Sequence, residues 1–148
     1  MNVGLGTVRI PGAAPPLEPW RPYAIERVSQ IRNPGPALCF VFLDEREDSI
    51  ATSFFIVHPG GLRLPTAPPG PPNPAAYGIT SYPGSYHNAA GNLSFADGHV
   101  EARKWLDART RPPLVKDTML PRSYDGAVPS PGNPDVQWLQ ERTFPRQD

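Results

Sequence analysis

Short apolar runs separated by polar or proline-rich segments dominate the pattern of this chain. Residues 37–43 are almost wholly apolar, which predicts a central strand buried on both faces. A second apolar run, residues 53–57, follows at a distance typical of a hairpin. The acidic residues 44–49 lie between the two runs. The pattern therefore predicts two antiparallel strands joined by a solvated, charged loop.

A second hairpin is predicted around Asp97 and Gly98, because Asp-Gly is a favoured pair for a two-residue type I′ turn. The flanking strands would be residues 93–96 and 99–104, with Ala96 opposite His99. This register places one set of side chains on the core face: Leu93, Phe95, Val100 and Ala102. It places a second set on the polar face: Ser94, Ala96, His99 and Glu101.

The best helix signal is at residues 133–142. Asn133 suits the N-cap, Pro134 suits the first helical position, and Asp135 complements the positive end of the helix dipole. The apolar residues on this segment predict one short docking side, formed by Val136, Trp138 and Leu139.

The remainder of the chain is rich in helix breakers, with 22 Pro and 13 Gly. The sequence therefore predicts a single domain over residues 1–148 with an α+β fold that is mainly β. We expect a small antiparallel sheet, a C-terminal helix and long proline-rich loops. The predicted segments are an extended arm at 1–22, a proline-rich loop at 59–85, an irregular stretch at 106–132 and the helix at 133–143.

Charge and composition exclude several classes of partner. The 14 Lys and Arg balance the 14 Asp and Glu, and the arginines are scattered, so no nucleic-acid partner is predicted. The sequence holds no apolar run long enough for a membrane span and no charged region typical of a signal peptide, which predicts a soluble chain. Cys39, the only cysteine, lies in the first apolar run and is predicted to be a buried, inert thiol.

Candidate chemistry is concentrated near the second hairpin, where His87, Asp97 and His99 are close in sequence. Asp44 and Glu45, at the end of the first strand, add carboxylates. Imidazole and carboxylate groups bind divalent ions, so one hypothesis is a Ca²⁺ or Zn²⁺ site formed by these five residues. The other hypothesis is structural: Asp97 serves the turn, and His87 hydrogen-bonds the hairpin backbone and fixes the preceding loop. No cofactor is certain.

A hydrolase hypothesis uses the same neighbourhood. His87, Asp97 and Glu45 could supply general acid and base groups for cleavage of an ester, phosphate or glycoside, with or without a metal. His99 and Asp44 are further candidates for this site. The sequence contains no Gly-x-Ser-x-Gly nucleophile elbow. Whether the chain is an enzyme stays open at this point.

The spacing of His87, nine residues, and then Asp97-Gly98 is similar to the H-X9-DG motif. That motif names a C-terminal domain of pseudopilin-like proteins, of the type II secretion and type IV pilus kind, in Planctomycetes and Verrucomicrobia. Residues 42–50, 94–99 and 133–142 also resemble recurring segments of these proteins. The resemblance covers about residues 28–143.

The resemblance implies a pseudopilin-head-like fold and a surface or assembly module without catalytic activity. It also implies a place in the cell envelope or outside the cell, and association with itself or with other pilin-like subunits. Some pseudopilin heads hold a calcium ion. Such proteins normally begin with a prepilin leader and a long apolar helix, which this sequence lacks. We therefore expect either a fragment of a longer protein or a soluble descendant of the head.

Overall fold

The fold combines two small antiparallel sheets with one C-terminal helix. The computed structural model describes residues 27–50, 54–61, 72–120 and 127–143. The strands are β1 (Phe40–Leu43), β2 (Gly78–Ile79), β3 (Ala90–Phe95), β4 (Val100–Lys104) and β5 (Val128–Pro129), and the helix is α1 (Pro134–Glu141). This confirms a mixed α+β fold with more strand than helix. Within these residues, no helix is both long and apolar enough to cross a membrane.

The larger sheet has three strands in the order β1-β3-β4, so β3 is the central strand. The prediction of a central strand at residues 37–43 is wrong. The first part of that run, Pro36–Leu38, forms a 3-10 turn, and β1 begins only at Phe40. β1 pairs antiparallel with β3.

An irregularity in β1 explains why this apolar run is not buried on both faces. Phe40 lies opposite Phe95, but Phe42 lies opposite Ser94, so β1 contains one extra residue between these pairs. Such a bulge reverses the alternation of side chains. As a result Phe40 is fully buried, whereas Phe42 is 58% exposed on the outer side of the sheet.

The predicted pairing of residues 37–43 with residues 53–57 is also wrong. The described part of the second run, residues 54–57, contains no strand longer than the single bridge residue Phe55. Phe55 and Val57 nevertheless belong to the core. Their apolar character comes from burial against the sheet and not from a hairpin with β1.

The acidic segment after β1 is not the solvated loop that the sequence predicts. Arg46 and Asp48 are buried and form a bidentate ion pair, with Nε–Oδ1 at 2.9 Å and Nη2–Oδ2 at 2.6 Å. Arg46 Nη1 also donates to the carbonyl oxygen of Pro112. Leu120 N–H donates to the Asp48 carbonyl oxygen at 2.8 Å. The charged pair therefore ties residues 112–120 to the end of β1.

The hairpin of β3 and β4 is present, but its register is shifted by one residue. Phe95 N–H donates to the His99 carbonyl oxygen and Gly98 N–H donates to the Phe95 carbonyl oxygen, both at 2.9 Å. The loop thus has three residues, with Gly98 at a φ of +95°.

This shift changes the predicted faces. Leu93 lies opposite Glu101, and Ser94 lies opposite Val100. Directly paired residues share a face, so His99 and Glu101 lie on the side of Leu93 and Phe95. Val100 is 67% exposed instead of buried.

The core lies between the inner face of the larger sheet and α1. One cluster of buried side chains consists of Phe40, Phe55, Val57, Leu93, Phe95, Trp105 and Leu139, and a second consists of Tyr77, Ile79, Tyr82 and Val136. Trp105 Nε1 donates to the Gly84 carbonyl oxygen at 2.8 Å. A Cβ on Gly91 would lie 2.5 Å from that oxygen, so this close approach requires glycine.

The two predicted irregular stretches contain more structure than expected. Within 59–85, a 3-10 turn at Pro74–Ala76 precedes β2, and residues 77–84 are buried. Within 106–132, β5 pairs antiparallel with β2. The predicted arm at residues 1–22 lies outside the described residues.

The C-terminal helix is confirmed. α1 runs from Pro134 to Glu141, with Asn133 as N-cap. Asn133 Oδ1 accepts from Asp135 N–H at 2.8 Å and from Val136 N–H at 3.3 Å. Local capping chemistry thus sets the start of the helix.

Candidate functional site

His87 begins a tight turn that leads into β3. Ala90 N–H donates to the His87 carbonyl oxygen at 3.0 Å. Asn88 and Ala89, between them, have φ of 53° and 63°, the left-handed values of a type I′ turn. The His87 side chain is exposed, and no described residue bonds it. The structural role of His87 is therefore the hydrogen bond of its backbone carbonyl in this turn, and the imidazole takes no part in it.

Asp97 and His99 form a contact at the other end of β3. Asp97 Oδ1 lies 2.6 Å from His99 Nδ1 and accepts from His99 N–H at 3.2 Å. The hydrogen bond with the His99 side chain lowers the pKa of Asp97. The His99 ring stacks on Phe95 with centroids 4.3 Å apart and an angle of 4° between the planes. The pair is exposed at the tip of the hairpin.

The two halves of the H-X9-DG pattern therefore lie at opposite ends of one strand. β3 has six residues between the two turns, a length of about 20 Å. His87 and Asp97 do not converge. Their spacing corresponds to the central strand together with the turn at each end of it.

Asp44 and Glu45 lie near the His87 end of β3, where Asp44 bonds β3 itself and Glu45 bonds neighbouring loop residues. Asp44 Oδ2 accepts from Asn92 N–H at 3.1 Å and from Asn92 Nδ2 at 3.0 Å. Glu45 Oε1 accepts from Ser49 Oγ at 3.1 Å. Burial raises the pKa of Glu45, and hydrogen bonds from Ser49 and Ser81 oppose that rise. These carboxylates hold the turn after β1 against residues 81–92.

The five residues of the sequence-based metal hypothesis are divided between the two ends of β3. Asp44, Glu45 and His87 belong to the end at which β3 begins, and Asp97 and His99 belong to the end at which it stops. In the described part of the chain, no group of three or more His, Cys, Asp or Glu is arranged to hold a metal ion. The Ca²⁺ or Zn²⁺ site stays a prediction, and the five residues proposed for it do not converge on one point.

Asp135 is a central polar residue whose role the sequence did not reveal. Its carboxylate is fully buried. Asp135 Oδ2 accepts from Leu106 N–H at 2.9 Å and from Asp107 N–H at 2.8 Å. Arg103 Nη2 lies 3.8 Å from Asp135 Oδ1. This carboxylate joins α1 to the chain that leaves β4, whereas the sequence predicts only its interaction with the helix dipole.

Trp138 links the same region to the outside of the helix. The Arg142 and Arg103 guanidinium carbons lie 4.1 Å and 4.7 Å from the centroid of its ring. Trp105 meets Trp138 edge-on, with centroids 6.1 Å apart. Aromatic packing and cation–π contacts therefore account for these side chains.

His58 is the third histidine and was not among the candidates. Its Nδ1 accepts from Gly60 N–H at 3.0 Å, so the ring closes a local turn. Burial lowers the pKa of His58. Gln140 Nε2 donates to the His58 carbonyl oxygen at 2.7 Å, which ties this turn to α1.

The larger sheet also has an outer face, which we define by Phe42, Ser94, Val100 and Ala102. Unlike the hydrogen-bonded polar groups described above, this face is mainly apolar. Phe42, Ser94 and Val100 form one row across the three strands. Phe42, Val100 and Ala102 are exposed. Its chemistry suits contact with another macromolecule better than catalysis.

Comparisons of the chain with protein-family models, curated proteins and solved structures found no match.

Proposed function

We propose that this chain is a pseudopilin-like globular head that acts as a surface or assembly module without catalytic activity. The observation that supports this proposal most is the position of the motif. His87 and Asp97-Gly98 form the turns at the two ends of β3, so the motif serves the architecture of the sheet. A motif used in this way needs no reaction to explain it.

The remaining acidic candidates are also occupied by internal partners. Asp44 accepts from Asn92, Glu45 accepts from Ser49, and Asp97 contacts His99. These bonds hold loops to the sheet. Their geometry supports a rigid scaffold whose function lies in what its surface contacts.

The outer face is the surface that we assign to this function. Phe42 on β1 and Val100 on β4 stand in one row, with Ser94 of the central strand β3 between them. Exposed apolar side chains clustered on a sheet are a recurring feature of interaction sites. The partners that the resemblance implies, other pilin-like subunits or the chain itself, would bury this row.

Binding to pilin-like subunits encoded in the same genome tests the proposal. The purified chain is titrated with each subunit by isothermal calorimetry. We expect Phe42→Ser and Val100→Ser to weaken binding. The matched control is Leu114→Ser, which changes another exposed apolar residue that lies outside the sheet. The absence of binding by the unaltered chain, or equal losses in all three variants, would contradict the proposal.

The second candidate function is a small hydrolase, and the contact between Asp97 and His99 is the observation in its favour. A carboxylate beside an imidazole can orient the ring for general base catalysis. The test is a screen of ester, phosphate and glycoside substrates with His99→Ala and Asp97→Asn; the latter keeps the turn preference. Activity lost in both variants would support the hydrolase, and activity unchanged in both would refute this site. Glu45→Gln and His87→Gln test the other predicted groups.

A further inference from the structure

β4 has one paired edge and one open edge. Phe95 N–H donates to the His99 carbonyl oxygen, and Trp105 N–H donates to the Ala89 carbonyl oxygen at 2.8 Å. These bonds fix the alternation along β4, because in an antiparallel pair every second residue bonds the neighbouring strand. Glu101 and Arg103 therefore bond β3. The backbone groups of Val100, Ala102 and Lys104 point away from it.

The open edge has no partner in the described part of the chain. No described backbone or side-chain group bonds the outward N–H and C=O groups of Val100, Ala102 and Lys104. Most of β4 is exposed. A row of unpaired backbone groups on an exposed edge is a template for another strand.

We propose that β4 pairs antiparallel with β4 of a second copy of this chain, about a two-fold axis at Ala102. This inference rests on the proposed assembly function, and it assigns one contact of that assembly to the open edge of β4. The backbone alternation permits a symmetric pair centred on any residue of β4, but a centre at Glu101 or Arg103 would place that charged side chain opposite its own copy. A centre at Lys104 would place two ammonium groups opposite each other. A centre at Val100 would place Gly98, in the hairpin turn, opposite Ala102 of the second copy, so fewer strand residues would be paired.

The centre at Ala102 gives charge complementarity. Glu101 lies opposite Arg103 of the second copy, and by symmetry its own Arg103 lies opposite the second copy's Glu101. Opposite charges on facing strands stabilise a sheet, whereas like charges destabilise it. All five residues of β4 are paired, and the small Ala102 side chains meet at the axis without obstruction. Val100 faces the aliphatic stem of Lys104 of the second copy.

The resulting six-stranded sheet would extend the outer face across both copies. Each copy contributes three strands in the order β1-β3-β4. Val100 lies diagonal to Ala102 of the second copy, which gives a central apolar strip flanked by the two Phe42 side chains. The pairing therefore enlarges the surface assigned to pilin-like partners without covering it.

Cysteine cross-linking tests the register. In a hydrogen-bonded antiparallel pair the facing Cα atoms are about 5.5 Å apart, within disulfide range. Ala102→Cys should therefore form a covalent dimer under mild oxidation. Lys104→Cys, on the same face, should not, because four residues of offset separate the two copies by about 13 Å along the strands. The native Cys39 is 2% exposed and does not compete.

Sedimentation equilibrium of the whole chain tests the association itself. The unaltered chain should be dimeric at high concentration. Ala102→Pro removes an outward N–H but no bond to β3, so it should give a monomer with an unchanged circular dichroism spectrum. Glu101→Arg places like charges opposite each other and should weaken the dimer by about tenfold or more. The dimer affinity of Glu101→Gln should lie between that of the unaltered chain and that of Glu101→Arg.

The proposal is overturned if the unaltered chain stays monomeric at all concentrations, or if Lys104→Cys cross-links as readily as Ala102→Cys. If Ala102→Pro fails to fold, Glu101→Arg and the cross-links decide. Binding to pilin-like subunits in a chain that stays monomeric would refute the β4 pair and leave the assembly function standing. Dimerisation without such binding would refute the pilin-like partners and support the pair.

Discussion

Replacement of Asp135 by alanine should strongly destabilise the fold. The fully buried carboxylate accepts from the N–H groups of Leu106 and Asp107. Hydrogen bonds to a charged acceptor are worth about 1.5–3 kcal/mol each. Two such bonds would total about 3–6 kcal/mol. Leu106 is itself exposed, so water can replace part of this loss. We expect Asp135→Ala to lower the free energy of unfolding by about 3 kcal/mol.

Asp135→Asn separates the acceptor role from the charge. Oδ2 accepts from both N–H groups, at 2.9 Å and 2.8 Å, so an amide oxygen at this position could keep both bonds. The second contact of Leu106 N–H, with Oδ1 at 3.1 Å, would be lost, because an amide nitrogen there cannot accept. The charge beside Arg103, at 3.8 Å, would be lost. We therefore expect Asp135→Asn to cost about 1 kcal/mol, well below the alanine variant.

Urea unfolding followed by tryptophan fluorescence measures both effects, because Trp105 and Trp138 lie in the affected region. Gln137→Ala is the matched control on the exposed side of α1 and should change stability by less than about 0.5 kcal/mol. A stabilising role for the Asp135 carboxylate is refuted if Asp135→Ala costs no more than this control. The acceptor role of Oδ2 is refuted if the alanine and asparagine variants cost the same.

Three further predictions concern a turn, a histidine and the thiol. Ala89→Gly should stabilise the fold by about 0.5 kcal/mol, because Ala89 has a φ of +63° that glycine adopts without strain; Ala90→Gly is the control and should destabilise it in the same denaturation assay. The pKa of His58 is lowered by burial, so stability should decline as pH falls below the ordinary value of 6.5, and unfolding midpoints of His58→Asn, whose amide can still accept from Gly60 N–H, should decline less. Burial raises the pKa of Cys39 to about 11, so an aromatic disulfide reagent should label it only after unfolding; rapid labelling of folded protein would contradict this.

The elements that the sequence predicted well are those with local signals. The cap of α1 depends on Asn133 and Pro134, which are adjacent to the helix. The β3–β4 hairpin depends on Asp97-Gly98 between its own strands. In both cases the residues that determine the structure lie within a few positions of it. Even so, the added loop residue shifted the register by one and reversed the predicted faces of β4, whereas Leu93 and Phe95 of β3 are buried as predicted.

The features that the sequence did not predict depend on contacts between distant segments. β1 pairs with β3 about fifty residues later, and β2 pairs with β5 at a similar separation. No composition pattern specifies these partners. The bulge that exposes Phe42 arises from the same long-range pairing. The burial of Asp135 likewise depends on where the chain goes after β4, which periodicity cannot show.

The nine-residue interval of the motif has a physical meaning once β3 is seen as the central strand. Side chains along β3 alternate between the two faces of the sheet, so Gly91, Leu93 and Phe95 face inward. Gly91 leaves room for the Gly84 carbonyl, and Leu93 and Phe95 belong to the core. Insertion of one residue would turn this inward set outward. The turn at each end fixes where the alternation starts and stops. The interval between His87 and Asp97 is thus constrained by the core of the sheet, which leaves the outer face and the open edge of β4 as the surfaces of the described sheet that we propose for contact with partners.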